Sequence, residues 1–128
     1  MKDIPPDLTG TFDLLVEEQH TAAAYGNTGM LVLATPIVLW MIEVAAYQAI
    51  QPYLDAGEGV AGTHIDLRHL APTAIGRQAV AHARLTGRRG RRSTFACRVT
   101  SGDKVIAEGT YENAIIDLGR ILATADEC

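Results

Sequence analysis

Cysteine is almost absent from the 128 residues: Cys97 and Cys128 are the only two, and the second is the last residue. That is too few for a disulfide scaffold. A basic surplus is absent as well. Eleven Lys and Arg against fifteen Asp and Glu leave a net charge of −4, which excludes the broad cationic surface of a nucleic-acid binder. The opening Met1-Lys2-Asp3-Ile4-Pro5-Pro6 has no apolar core of the kind a signal peptide needs, so the expected location is the cytoplasm. No internal repeat, linker or low-complexity tract stands out. At 48% hydrophobic and 20% charged, the composition is that of a folded globular chain. Its length suits a single domain over residues 1–128.

Charge is missing most conspicuously in one place. Between Glu18 and Asp55 the only formally charged side chain is Glu43. The run from Met30 to Ile50 is long enough to suggest a membrane span. Pro36 interrupts it near the start, Glu43 sits near its middle and no basic flank orients it, which argues against that. A mid-membrane carboxylate costs roughly 2.5–3.5 kcal/mol even on lenient insertion scales. The span therefore reads as a helix buried inside a soluble protein, apolar on nearly every side.

Thr35-Pro36 is a suitable helix start: threonine can cap the free N–H groups, and proline at the first helical position has none to waste. The helix is expected from Pro36 to about Leu54, shortened or kinked by Pro52 and followed by a turn at Asp55–Gly59. Gly10–Glu17 reads as a first strand, and His20–Met30, with Gly26, Asn27 and Gly29, as a loop. Beyond the helix the period becomes two. Thr63, Ile65, Leu67 and His69 oppose Gly62, His64, Asp66 and Arg68, and Ala79, Ala81, Ala83 and Leu85 oppose Gln78, Val80, His82 and Arg84. Gly87–Gly90 is expected as a hairpin tip, Ser93–Thr100 as a strand, and Lys104–Leu118 as one strand bulged at Gly109. A short C-terminal helix or tail follows. The order is strand, long apolar helix, then an antiparallel meander. The only available cover for the sheet's apolar face is that helix. The expected fold is thus α+β, a curved antiparallel sheet wrapped around one long apolar helix, the hot-dog fold.

Three residues are candidates for chemistry. Glu43 is a carboxylate on a core helix, where an unpaired charge is costly; its bland reading is a side chain that snorkels to the surface or pairs with arginine. Thr35 lies at the helix N-terminus, where the macrodipole favours developing negative charge, or else it is only a cap. His69 ends a strand on the inward parity, either as a satisfied core histidine or as a rim residue of a site. His64, Asp66 and His69 do not make a metal site, because the first two share a face and the third points through the other. Cys97 reads as core. Arg88, Arg89, Arg91 and Arg92 form either a solvated tip or a local phosphate-binding patch, such as one for the phosphates of coenzyme A.

Several short motifs occur in order: Ala34-Thr35-Pro36, Met41-Ile42-Glu43, Pro52-Tyr53-Leu54 with Gly57-Glu58-Gly59, Gly62-Thr63, Arg68-His69-Leu70-Ala71-Pro72-Thr73, and Gly109-Thr110-Tyr111-Glu112. With these, the chain resembles the hot-dog thioesterases of the fluoroacetyl-CoA thioesterase type, from about Gly10 to Leu118. The resemblance implies a catalytic set of Thr35, Glu43 and His69, with the Gly62 N–H beside the thioester carbonyl. It also implies a homodimer with active sites near the subunit interface, alone or paired again as a dimer of dimers. The substrate would be an acyl-CoA or carrier-bound acyl thioester, hydrolysed without cofactor or metal. Two departures argue against fluoroacetyl-CoA itself. The lid phenylalanines are replaced by Tyr25-Gly26-Asn27-Thr28-Gly29, and the family's His-Glu-Arg reads Tyr111-Glu112-Asn113, which puts Asn113 at a substrate-contact position. The alternative function is a hot-dog protein that binds acyl thioesters without cleaving them, or a dehydratase-like enzyme.

Overall fold

The computed structural model describes residues 1–126; Cys128 lies outside them. Five strands and two helices follow in the order β1 (Thr9–Leu15), α1 (Thr35–Ile50), β2 (Glu58–His69), β3 (Gln78–Arg89), β4 (Arg92–Ser101), β5 (Lys104–Asp117) and α2 (Leu118–Asp126). The strands form one antiparallel sheet in the order β1-β3-β4-β5-β2. Only β3, β4 and β5 form a meander. The expected continuous meander is corrected at β2, which crosses to the far edge and pairs with β5. The β2 strand therefore ends the sheet, and its outer side is an edge.

Helix α1 packs across the inner face. It buries Ile37, Val38, Met41, Ile42, Ala45, Ala46, Ala49 and Ile50. Each large aliphatic among them contributes about 1.5–3 kcal/mol. Ala79, Ala81 and Ala83 on β3 are buried beneath it. The helix lies so close to β1 that a Cβ on Gly10 would overlap the Ala45 carbonyl oxygen. The expectation of a helix buried on nearly every side is not met: Trp40 is 43% and Tyr47 44% exposed. Pro36, Trp40, Glu43 and Tyr47 follow at spacings of four, three and four, so they form one stripe along the helix. Glu43 is half-buried at the margin of that stripe. The helix ends at Ile50, and Pro52 lies in a short 3-10 turn, Gln51–Tyr53.

Three local irregularities decide which side chains face the core. The β2–β5 register slips between Gly62 and His64, so Thr63 is an extra residue. Gly62 and His64 have the same parity by count, yet the bulge puts them on opposite faces. The second slip lies between Leu85 and Gly87. It moves the hairpin tip to Gly90–Arg91, so Gly87 is inside β3 and not at the tip as expected. The third is at Ile106, opposite the Val99/Thr100 step of β4, and not at Gly109. Gly109 instead allows β5 and β2 to approach closely, since a Cβ there would overlap the Asp66 carbonyl oxygen of β2.

Candidate active site

The first cluster forms where α1 begins and β2 ends. The loop before the helix is pinned by Leu33 N–H to the Thr73 carbonyl (2.9 Å) and Ala34 N–H to the His20 carbonyl (2.9 Å). The end of β2 is pinned by the Leu70 and Ala71 N–H groups, which both donate to the Ile106 carbonyl. These anchors bring the Thr35 hydroxyl within 2.7 Å of His69 Nδ1. Thr35 is the first helical residue and Ala34 the N-cap, one position earlier than expected, and no side chain caps the helix. The threonine hydroxyl is spent on histidine. Burial lowers the His69 pKa below its usual value, partly opposed by the Ala71 backbone. The imidazole is therefore held toward its neutral form. His69 Nε2 is buried and without a hydrogen-bond partner. A shallow cavity of about 250 Å³ opens here, lined by Thr35, His69, Ala22, Met30, Leu33 and Leu70.

The second cluster is centred on Glu43. The Tyr111 hydroxyl donates to Glu43 Oε2 over a long 3.4 Å. A Cβ on Gly62 would stand 2.9 Å from that hydroxyl and 3.0 Å from Glu43 Oε2. Glycine at 62 thus leaves β2 backbone directly beside the carboxylate. Burial, and then the Glu43 charge, push the Tyr111 pKa up to about 12, so the phenol stays protonated and able to donate. Asn113 is directly opposite Gly62 on β5. It is fully buried, and its amide lies beside the Tyr111 hydroxyl, whose pKa it lowers, without completing a full hydrogen bond there.

The three expected site residues are therefore divided within one chain. Thr35 and His69 meet; Glu43 meets Gly62. Eight residues of helix separate Thr35 from Glu43, a rise of about 12 Å. Strict alternation does not bring Tyr111 beside the carboxylate, nor Ser93 beside Asn113. The signal for the first was present: Val60 and Ile65 both pack against the core yet stand at opposite parity. One extra residue must lie between them, and it turns Gly62 inward toward Tyr111.

The remaining candidates are elsewhere. His64 and Asp66 are exposed on the outer face, and among the described residues no three His, Cys, Asp or Glu side chains are grouped to hold a metal. Cys97 is buried, and burial raises its thiol to about 12, which keeps it protonated. In the basic hairpin, Arg91 pairs with Glu58, and Arg88 donates to the Gly90 carbonyl (2.7 Å). Among the described residues no helix is long and apolar enough to cross a membrane.

The model of the family "Fluoroacetyl-CoA-specific thioesterase" matches residues 16–118. The chain belongs to this family. The fluoroacetyl-CoA thioesterase of Streptantibioticus cattleyicolor is 36% identical over 92 residues, which are 72% of this chain and 66% of that protein. The matched segment therefore spans slightly less than two thirds of that relative. A solved structure of the fluoroacetyl-CoA thioesterase FlK superposes with a TM-score of 0.91 at 28% identity, covering 98% of each chain. A thioesterase superfamily member from Thermus thermophilus superposes with a TM-score of 0.91 at 25% identity, covering 99% of this chain and 94% of its own. The family fold and this chain's fold are the same hot-dog architecture.

Proposed function

We propose that this family member is a thioester hydrolase that cleaves small acyl-CoA, or carrier-bound acyl, thioesters at Glu43. The observation that carries the reading is how near Glu43 Oε2 comes to Gly62: a Cβ added to that glycine would stand only 3.0 Å from it. A thioester carbonyl placed there meets a carboxylate and a strand backbone together. Glu43 either attacks the carbonyl carbon, giving an anhydride that water opens, or takes a proton from the attacking water. The Gly62 N–H stabilises the oxyanion, a contact whose loss typically costs about 10²–10³ in rate. Thr35 holds His69 in one orientation, and His69 positions the nucleophile or assists departure of the thiolate.

Thr35–His69 and Glu43 are too far apart on one chain to act on one carbonyl. Two copies joined antiparallel along their β2 edges remove the difficulty. His69 ends β2 and Gly62 lies in its first half, so such pairing sets the His69 end of each strand against the Gly62 half of the other. The homodimer expected from the sequence is thus proposed to complete the site.

Complementation tests this. Glu43→Gln and His69→Ala homodimers are each expected to be inactive. Mixed by unfolding and refolding at equal amounts, they should regain about a quarter of wild-type thiol release, since half the dimers carry one intact site. A mixture as inactive as its components would place the whole site within one chain.

A further inference from the structure

Besides His69 Nε2, four buried polar atoms of the inner sheet face complete no hydrogen bond: Asn113 Nδ2 and Oδ1, Ser93 Oγ and Arg88 Nε. They are not scattered. Arg88 is paired with Ser93, Ser93 with Asn113, and Asn113 with Gly62, so one cross-strand row runs over β3, β4, β5 and β2. Its end on the edge strand β2 is the glycine beside Glu43. Ser93 and Asn113 are both 0% exposed, and rows of large side chains flank them, Phe95–Tyr111–Ile65 on one side and Ile115–Val60 on the other; the one polar neighbour in these rows is the Tyr111 hydroxyl beside Asn113. Unpaired amides and hydroxyls in such surroundings are strongly disfavoured. A structural role would be served better by an aliphatic side chain.

We infer that the Asn113–Ser93 row is a specificity subsite that reads a hydroxyl on the acyl group of the substrate. This deepens the thioesterase reading and rests on it. Strands lie about 4.8 Å apart, so an acyl group with its carbonyl at Gly62 and Glu43 extends over Asn113 within its first few carbons. Asparagine and serine offer donors and acceptors, the complement of a hydroxyl. A purely alkyl group would leave the amide unpaired, and an acyl carboxylate would sit against Glu43, a like charge. The one cation of the row, Arg88, has its Nη2 on the Gly90 carbonyl and on Met1 Sδ.

The test uses pairs of equal shape: 3-hydroxybutyryl-CoA against 3-methylbutyryl-CoA, and lactoyl-CoA against isobutyryl-CoA. The wild type should favour the hydroxyl member of at least one pair by tenfold or more in kcat/KM, because a site built to bond a hydroxyl rejects the analogue without it. Asn113→Leu should reverse that ratio by about 10²-fold, and Ser93→Ala should shift it in the same direction by less. A thermal melt of each variant reads folding separately, and Ser93→Ala, the smaller change, stands in if Asn113→Leu does not fold. A second arm measures binding of the same thioesters to Glu43→Gln by calorimetry, with and without Asn113→Leu. Hydrolysis of both members with equal kcat/KM, unchanged by either substitution, overturns the subsite and leaves the hydrolase. No hydrolysis at all, but a hydroxyl preference in binding that Asn113→Leu removes, supports the subsite and overturns the hydrolase. Neither hydrolysis nor preferential binding overturns both.

Discussion

Adding one methyl group at Gly62 is the sharpest perturbation the geometry offers. In Gly62→Ala the new Cβ would stand 2.9 Å from the Tyr111 hydroxyl and 3.0 Å from Glu43 Oε2. Both are closer than carbon normally approaches oxygen, so something must move by a few tenths of an ångström or more. Tyr111 is buried with its ring beside Phe95, centroids 6.4 Å apart, and has little freedom. Glu43 is half-buried with a flexible stem, so its carboxylate yields. The fold should tolerate this: Gly62 is not among the residues of positive φ, and only side-chain ends are displaced. A cost of about 1 kcal/mol, the low end for overpacking, is expected. The rate should suffer far more, because displacing a reacting group by about 1 Å can cost 10²-fold. Thiol release from a short acyl-CoA, followed beside a thermal melt, separates the two. A loss near 10²-fold with a melting temperature within about 4 °C of wild type is the expected pair. Full activity in Gly62→Ala would refute the placement of the carbonyl between Gly62 and Glu43.

Tyr111→Phe removes only a 3.4 Å hydrogen bond, so the rate should fall modestly, by about threefold to tenfold, as read by kcat on the same substrate. Burial lowers the His69 pKa from its usual 6.5, so the unfolded chain binds more protons and stability rises with pH through that range. His69's contribution is complete above pH 6.5 and is lost as pH falls toward the lower folded value; urea melts of His69→Gln between pH 5 and 8 should show a flatter profile than wild type. Gly10→Ala drives a Cβ into the Ala45 carbonyl of α1, backbone that cannot yield locally. It should cost about 3 kcal/mol and lower the melting temperature by about 10 °C.

The elements were readable because their causes are local. Alternating Ala79, Ala81, Ala83 and Leu85 can only be a half-buried strand, and Thr35-Pro36 marks a helix start to within one residue. The placement of β2 beside β5 was not readable, since nothing within β2 names its partner. The bulge at Thr63 is the feature that strict alternation hides. Strict alternation set Gly62 opposite to Ile65 and His69, although all three face inward, and one extra residue reconciles them. The helix looked apolar all round because Trp40 and Tyr47 count as hydrophobic. In the fold both are more than two-fifths exposed, and Trp40 rests edge-on against Phe12 of β1. Thr35, Glu43 and His69 were legible as unusual residues in their elements. That they divide into two clusters follows from the helical rise of about 12 Å between positions 35 and 43, with Thr35 bonded to His69 and Glu43 to Tyr111.

Whether Glu43 does the chemistry is decided by one comparison, the release of free thiol from a panel of short acyl-CoA thioesters by wild type and by Glu43→Gln. The substitution keeps the shape and removes both the nucleophile and the base. Wild type should turn over at least one short acyl-CoA, and Glu43→Gln should fall at least about 10³-fold below it with an unchanged melting temperature. A Glu43→Gln protein that releases thiol at the wild-type rate would contradict the account.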